Sequence, residues 1–75
     1  MIFRKNIVKK VYIEGLKCGG CVQRVENVLS TFKEIKSIRT SLEEKCSTLI
    51  LKKDLDNEII INAITDLGFN VTNIE

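Results

Sequence analysis

The 75-residue sequence contains no histidine, no proline and no tryptophan, and aromatic residues make up only 5% of it. Without histidine, any metal site must be built from other side chains. The net charge is only +2, and the basic residues are scattered along the chain. A nucleic-acid-binding protein usually has a clustered basic surface with stacking aromatic residues. The composition therefore argues against a nucleic-acid partner.

Long apolar runs are also absent. No segment approaches the roughly 18–20 apolar residues that span a bilayer, so we expect no direct membrane insertion. The first ten residues, MIFRKNIVKK, are interrupted by charge and do not form the apolar core of a secretory leader. These features predict a cytoplasmic protein, in a compartment that keeps thiols reduced. The odd number of cysteines, three, also argues against a disulfide framework.

Apolar residues recur with two different periods. Alternation around Val11 and Ile13 predicts a strand, and apolar spacings of three and four after Cys21 predict an amphipathic helix. Two further alternating segments joined by the polar residues 43–45 predict a β-hairpin. A second helical pattern ends near Gly68, and a last short strand follows it. The predicted order is therefore βαββαβ.

This order predicts an α+β, ferredoxin-like fold, with two helices on one face of a four-stranded antiparallel sheet. We interpret residues 1–6 as a short N-terminal extension and residues 7–75 as the single domain. In this topology the cysteine loop, the turn at residues 43–45 and the turn at Gly68 lie at the same end of the molecule. The start at Met1 and the end soon after the last strand favour a free protein over a detached domain.

The segment GLKCGGC, Gly15–Cys21, is the most informative part of the sequence. Cys18 falls on a loop, and Cys21 falls in the first turn of the first predicted helix. Unpaired N–H groups at a helix N-terminus favour thiolate over thiol. We expect Gly19 and Gly20 to let the backbone curl, so that both sulfurs face one point. We expect Leu16 to turn inward and anchor the loop on the core.

Three chemistries can be considered for two cysteines in this arrangement. A closed structural zinc site wants four ligands, which three cysteines and no histidine cannot supply. Two thiolates suit Cu(I), which prefers sulfur, and such a site stays open to a third thiolate from another protein. The competing hypothesis is a thiol–disulfide redox protein with a C-x-x-C motif. The short length and the absence of proline and tryptophan argue against it.

With these residues in view, the sequence resembles the heavy-metal-associated domain family. The family motif G-M-x-C-x-x-C corresponds here to Gly15–Cys21, and Ala63-Ile64 followed by Gly68-Phe69 matches the pattern that ends the second helix. The resemblance covers nearly the whole chain beyond Asn6. It implies a soft-metal carrier that is not an enzyme.

The resemblance assigns roles to individual residues. Cys18 and Cys21 would bind the metal, with Cu(I) favoured and Zn(II), Cd(II) or Hg(II) as alternatives. Leu16 would take the place of the family's methionine under the loop, and Phe69 the aromatic position near the metal. The residues expected to support the loop are Gly15, Leu16, Gly19, Gly20 and Phe69. Lysine at position 17, where zinc or cadmium domains can carry aspartate, favours copper.

The implied function is copper delivery to a metal-transporting P-type ATPase, or to its soluble metal-binding domains, by thiolate exchange. A metal-binding domain of such an ATPase, or a carrier of another heavy metal, is the alternative. A metal-bridged homodimer is a further candidate. Lys17 and Arg24 could form a docking surface for an acidic partner, although a solvated helix face explains them equally well. Strand alternation points Cys46 to the open face of the sheet, where we interpret it as a spare thiol.

Overall fold

A computed structural model describes residues 7–75, and the predicted extension at residues 1–6 lies outside them. The element order is βαββαβ, as predicted. The elements are β1 (Ile7–Glu14), α1 (Gly19–Leu29), β2 (Ile35–Ser41), β3 (Cys46–Leu51), α2 (Asn57–Thr65) and β4 (Asn70–Ile74).

The four strands form one antiparallel sheet in the order β2-β3-β1-β4. The two strands that each precede a helix, β1 and β3, are neighbours at the centre, and β2 and β4 are the edges. This is the predicted ferredoxin-like topology. Because neighbouring strands are antiparallel, successive connections along the chain lie at alternate ends of the sheet.

The core lies between the two helices and one face of the sheet. Alternate residues of β1 and β3 point into it, since successive side chains of a strand face opposite sides. Apolar residues three to four positions apart on each helix form the other side of the core, as their spacing in the sequence predicted. Its fully buried apolar members are Val11, Ile13, Val25, Leu29, Leu49, Leu51, Ile60 and Ile64.

The other face of the sheet, here called the outer face, carries Tyr12, Thr48 and Cys46. Tyr12 lies directly across from Cys46, one residue out of phase with the core pair Val11 and Ser47. The predicted orientation of Cys46 is therefore correct. Its accessibility is not what an open sheet face suggests, because Cys46 is only 2% exposed.

Three turns meet at one end of the sheet, as the topology predicted. The backbone N–H of Ile13 donates to the carbonyl oxygen of Lys45 at 2.8 Å, so the β2–β3 turn is bonded to the end of β1. Lys45 has φ of 53°, a left-handed conformation that a lysine rarely adopts. The aromatic ring of Phe69, which follows α2, lies against Gly15. We call this end of the molecule the cysteine end.

The opposite end contains a bonded lysine that the sequence patterns did not reveal. Lys9 lies on the core side of β1, and its Nζ donates to the carbonyl oxygen of Leu55 at 2.7 Å and to Oδ1 of Asn57 at 2.6 Å. Its Nζ also lies 3.4 Å from a carboxylate oxygen of Asp54. Asp56 is at the N-cap position of α2, but its side chain makes no capping hydrogen bond. Lys9 thus bonds β1 to the start of α2.

Both helices of residues 7–75 fall short of the length and apolarity that crossing a membrane requires.

Candidate metal centre

The two cysteines lie where the loop after β1 enters α1. Cys18 is the N-cap residue, with an extended backbone (φ −155°, ψ 172°), and its side chain makes no capping hydrogen bond. Its carbonyl oxygen accepts from the backbone N–H groups of Cys21 at 3.0 Å and Val22 at 3.2 Å, which closes the first turn. The helix therefore begins directly after Cys18, with the sulfur of Cys18 beside its first turn.

The sulfur atoms of Cys18 and Cys21 are 3.7 Å apart, and both cysteines are free. Metal–thiolate bonds are about 2.3 Å long for zinc, so two such bonds meeting at a tetrahedral angle span about 3.8 Å. The sulfurs already lie at nearly that separation. This separation suits one metal ion that binds both thiolates at such an angle, without rearrangement of the backbone.

The environments of the two thiols differ. The backbone N–H of Cys21 is the main cause that lowers the pKa of the Cys18 thiol below its ordinary value, and the Cys21 side chain and the N–H of Gly20 add to it. Cys18 is exposed to solvent. Cys21 is half-buried and packs against the core. The Cys18 thiol therefore has a lowered pKa and is open to a partner, whereas Cys21 is held by packing.

Leu16, Gly15 and Phe69 form the base of the loop. Leu16 is buried in the core at 3% exposure, as predicted. Gly15 has φ of 103°, in the left-handed region that favours glycine. A Cβ atom at Gly15 would lie 3.2 Å from Cδ1 of Phe69, closer than most side chains pack. Gly15 thus allows both the turn and the contact with the ring.

Gly19 and Gly20 lie at the entrance of α1, between two cysteines whose sulfurs face each other at 3.7 Å. Both belong to the first turn of α1, and neither has a positive φ. The backbone curl that we expected at these positions is an ordinary helix start, and the left-handed residue of the loop is Gly15. A Cβ at Gly19 would meet no atom within 4 Å, and one at Gly20 would lie 3.7 Å from the Cys18 sulfur.

The remaining predicted residues surround the site without joining it. Lys17 and Arg24 are exposed, and the structure leaves their docking role a prediction. Cys46 lies on the outer face of the sheet. Within residues 7–75, no group of three or more histidine, cysteine or acidic side chains is placed to hold a metal. The sequence did not predict the role of Lys45, whose carbonyl oxygen accepts a hydrogen bond from the end of β1. A backbone hydrogen bond of this kind does not depend on the residue type, so the sequence cannot indicate it.

Fold and site together define a small α+β domain with an open pair of thiols at a helix N-terminus. Residues 10–70 match the family model of the heavy-metal-associated domain. The chain therefore belongs to the heavy-metal-associated domain family.

Sequence relatives and a solved structure agree with this assignment. Copper-transporting ATPase 1 of Mus musculus is 33% identical over 61 residues, which is 80% of this chain and 4% of that protein. Copper-transporting ATPase 1 of Rhizobium meliloti (strain 1021) is 31% identical over 67 residues, 89% of this chain and 8% of that protein. The chain thus spans only a small part of these relatives. The structure of a CopZ metallochaperone has the same fold, with a TM-score of 0.80 and 24% identity, covering 88% of this chain and 100% of that one.

Proposed function

We propose that the protein carries one Cu(I) ion between Cys18 and Cys21 and passes it to another protein by thiolate exchange. The observation that carries this proposal is the 3.7 Å separation of two free sulfurs at an exposed helix N-terminus. Cu(I) prefers soft sulfur ligands. Two thiolates hold such an ion and leave it open to a third ligand.

Exchange follows from the unequal environments of the two sulfurs. A thiolate of the partner forms a new bond to the metal, the bond to Cys18 then breaks, and Cys21 is released when a second partner thiolate has bound. The oxidation state of the metal does not change, and each sulfur leaves as a thiolate. The N–H groups of Gly20 and Cys21 stabilise the Cys18 thiolate before loading and after release. The ion is bound to sulfur throughout.

The donor set supports copper over harder divalent ions. The loop offers two thiolates, with Lys17 rather than an acidic residue beside them. Zn(II) would want further ligands to complete four-coordination. Both relatives described above are named copper-transporting ATPases. Zn(II), Cd(II) and Hg(II) remain the alternative cargoes, to be compared with Cu(I) directly.

The partner that suits this exchange is a metal-transporting P-type ATPase or its metal-binding domain, in the cytoplasm. An equivalent pair of thiols on such a domain would let the two sites share one ion during transfer. The exposed cations Lys17 and Arg24 support an acidic docking surface on the partner. A second copy of this chain is an alternative recipient, through a metal-bridged homodimer.

Copper titration tests the proposal. The reduced protein, titrated with Cu(I) in the presence of a strong competing chelator, should bind one equivalent. Cys18→Ser and Cys21→Ser should each weaken binding at least a hundredfold. Cys46→Ser is the matched control, because it removes a cysteine outside the site, and it should bind as the wild type does. Weak copper binding, together with turnover in a disulfide reductase assay, would instead establish the thiol–disulfide redox alternative.

A further inference from the structure

Cys46 is buried on a face of the sheet that no helix covers. It is 2% exposed, yet it is absent from the core cluster between the helices and the sheet. The strand register explains this, because Cys46 pairs with Tyr12 on β1 and with Ser41 on β2, both out of phase with the core. Side chains on the outer face must therefore exclude solvent from this thiol.

Tyr12 is the neighbour that can provide this cover. Directly opposed residues of antiparallel strands have Cβ atoms about 4.5–5.5 Å apart. The register places Tyr12, Ser41 and Thr48 beside Cys46, and the charged side chains of Lys10, Glu44 and Glu75 lie near enough to affect its pKa. Of all these neighbours, only Tyr12 has an aromatic ring. The ring is held at its edge by a hydrogen bond from the Tyr12 hydroxyl to Oε1 of Glu75 at 3.4 Å. Tyr12 is itself only half-buried, as expected of a side chain that lies over another.

We propose that the ring of Tyr12 is a cover over the thiol of Cys46 and prevents this third thiol from binding a metal ion. The covering itself is an inference from register and burial. Its consequence for metal cargo rests on the proposed function, since it matters only if Cys18 and Cys21 hold a soft ion. With Cys46 covered, the outer face of the sheet offers no thiol to a second metal ion or to a second molecule.

Cys46 lies at the cysteine end of the molecule, where an exposed thiol could interfere with metal binding. Cys46 follows Lys45, whose carbonyl is bonded to Ile13, two residues before the loop begins at Gly15. An uncovered thiolate on the outer face would be a separate soft ligand, outside the Cys18–Cys21 site, for a second metal ion. It could also bridge two molecules. Burial raises the pKa of the Cys46 thiol, which supports its staying protonated where the Cys18 thiol ionises.

Thiol alkylation of the metal-free protein tests the cover separately from the function. Iodoacetamide alkylates a thiolate with loss of iodide, and mass spectrometry of peptides measures the rate at each cysteine. In the wild type, Cys46 should react at least a hundred times more slowly than Cys18. Tyr12→Ala should accelerate alkylation of Cys46 tenfold or more, and a smaller increase contradicts the proposal.

Tyr12→Phe is the matched variant, because it keeps the ring and removes the hydroxyl. Its Cys46 should stay protected to within threefold of the wild type, and protection as poor as in Tyr12→Ala would overturn the cover. If Tyr12→Ala does not fold, the urea dependence of the wild-type rate decides. If Cys46 is exposed by a local movement of the Tyr12 ring, its alkylation rate should change little at low urea concentrations. If the alkylation rate of Cys46 instead rises with urea as steeply as the global unfolding equilibrium does, the proposal is contradicted.

Copper loading then tests the consequence for the cargo. Tyr12→Ala should bind more than one equivalent of Cu(I) or form copper-dependent dimers, and the added change Cys46→Ser should restore one equivalent on a monomer. One equivalent on a monomer in Tyr12→Ala would overturn this consequence. Failure of the wild type to bind copper would overturn the proposed function instead, while the alkylation result would stand.

Discussion

Gly15 and Gly19 lie four residues apart in the cysteine loop, yet their replacement by alanine should have opposite effects. Gly15→Ala places a side chain at φ of 103° and within 3.2 Å of the Phe69 ring, so it should lower the free energy of unfolding by about 1–2 kcal/mol. Gly19→Ala adds a methyl group to a helical position with no atom within 4 Å. It should raise the free energy of unfolding by up to about 1 kcal/mol.

Urea denaturation of the metal-free variants measures both changes. Copper affinity should fall in Gly15→Ala, because the loop that carries Cys18 is displaced, and should stay unchanged in Gly19→Ala. A destabilised Gly19→Ala would show that this position needs glycine in spite of the open space around it.

The Cys18 thiol should make stability depend on pH. Its pKa is lowered in the fold from an ordinary value of 9.0, so the unfolded state binds more protons between the two values. The contribution is fully present above 9.0 and is lost as the pH falls through the folded pKa. Cys46 and Tyr12 have raised pKa values and act in the opposite direction, with stability lost as the pH rises through their folded values.

Comparison of the wild type with Cys18→Ser isolates this contribution, because Cys46 and Tyr12 are common to both proteins. The difference in the free energy of unfolding, measured by urea denaturation from pH 6 to pH 9, should shift in favour of the wild type as the pH rises. A difference that does not change with pH would contradict the lowered pKa of Cys18.

At the scale of elements, α1 lacks the features that usually stabilise a helix start. Its N-cap residue makes no side-chain capping bond, and its first turn contains no acidic residue. Its first N–H groups lower the pKa of the Cys18 thiol. Cys18→Asp should therefore stabilise the metal-free protein, raising the urea midpoint by about 0.5 M, while abolishing copper binding.

Cys21→Ser is the comparison for this prediction. Cys21 packs against the core, so its replacement by a polar residue should lower the urea midpoint. If Cys18→Asp lowers the urea midpoint as much as Cys21→Ser does, the N-cap position of α1 is not one where a thiol replaces a better capping residue.

The bond from Lys9 joins β1 to the start of α2 at the end opposite the cysteines. Lys9→Met removes two hydrogen bonds from a charged donor whose side chain is 15% exposed, so it should cost about 1–3 kcal/mol of stability. Lys10→Met, on the exposed neighbouring position, is the control and should change stability by less than about 0.5 kcal/mol. Thermal denaturation of both variants measures this, and copper stoichiometry should stay at one in each. Equal losses in the two variants would contradict a specific role for Lys9.

At the scale of the whole molecule, the fold was predictable because local patterns agree with it. Alternation around Val11 and Ile13 and the helical spacing of Val25 and Leu29 each specify one buried face, and only a few topologies bury all four strands and both helices. The shared end of the three turns followed from that topology.

What the sequence did not reveal depends on backbone geometry and on contacts between distant residues. The positive φ of Gly15 was not predicted, because composition does not show which glycine adopts a left-handed conformation. The burial of Cys46 was missed because alternation gives the face of a strand and not what lies over it. Lys9 alternates with apolar residues, and its bonded partners lie more than 45 positions away along the chain.

X-ray absorption spectroscopy of the copper-loaded protein is the most direct test of the central claim, that two sulfurs of one loop hold a soft ion. With one equivalent of Cu(I), the wild type and Cys46→Ser should give the same spectrum, with sulfur as the only ligand atom. Nitrogen or oxygen ligands, or a loss of sulfur ligands in Cys46→Ser, would contradict the account.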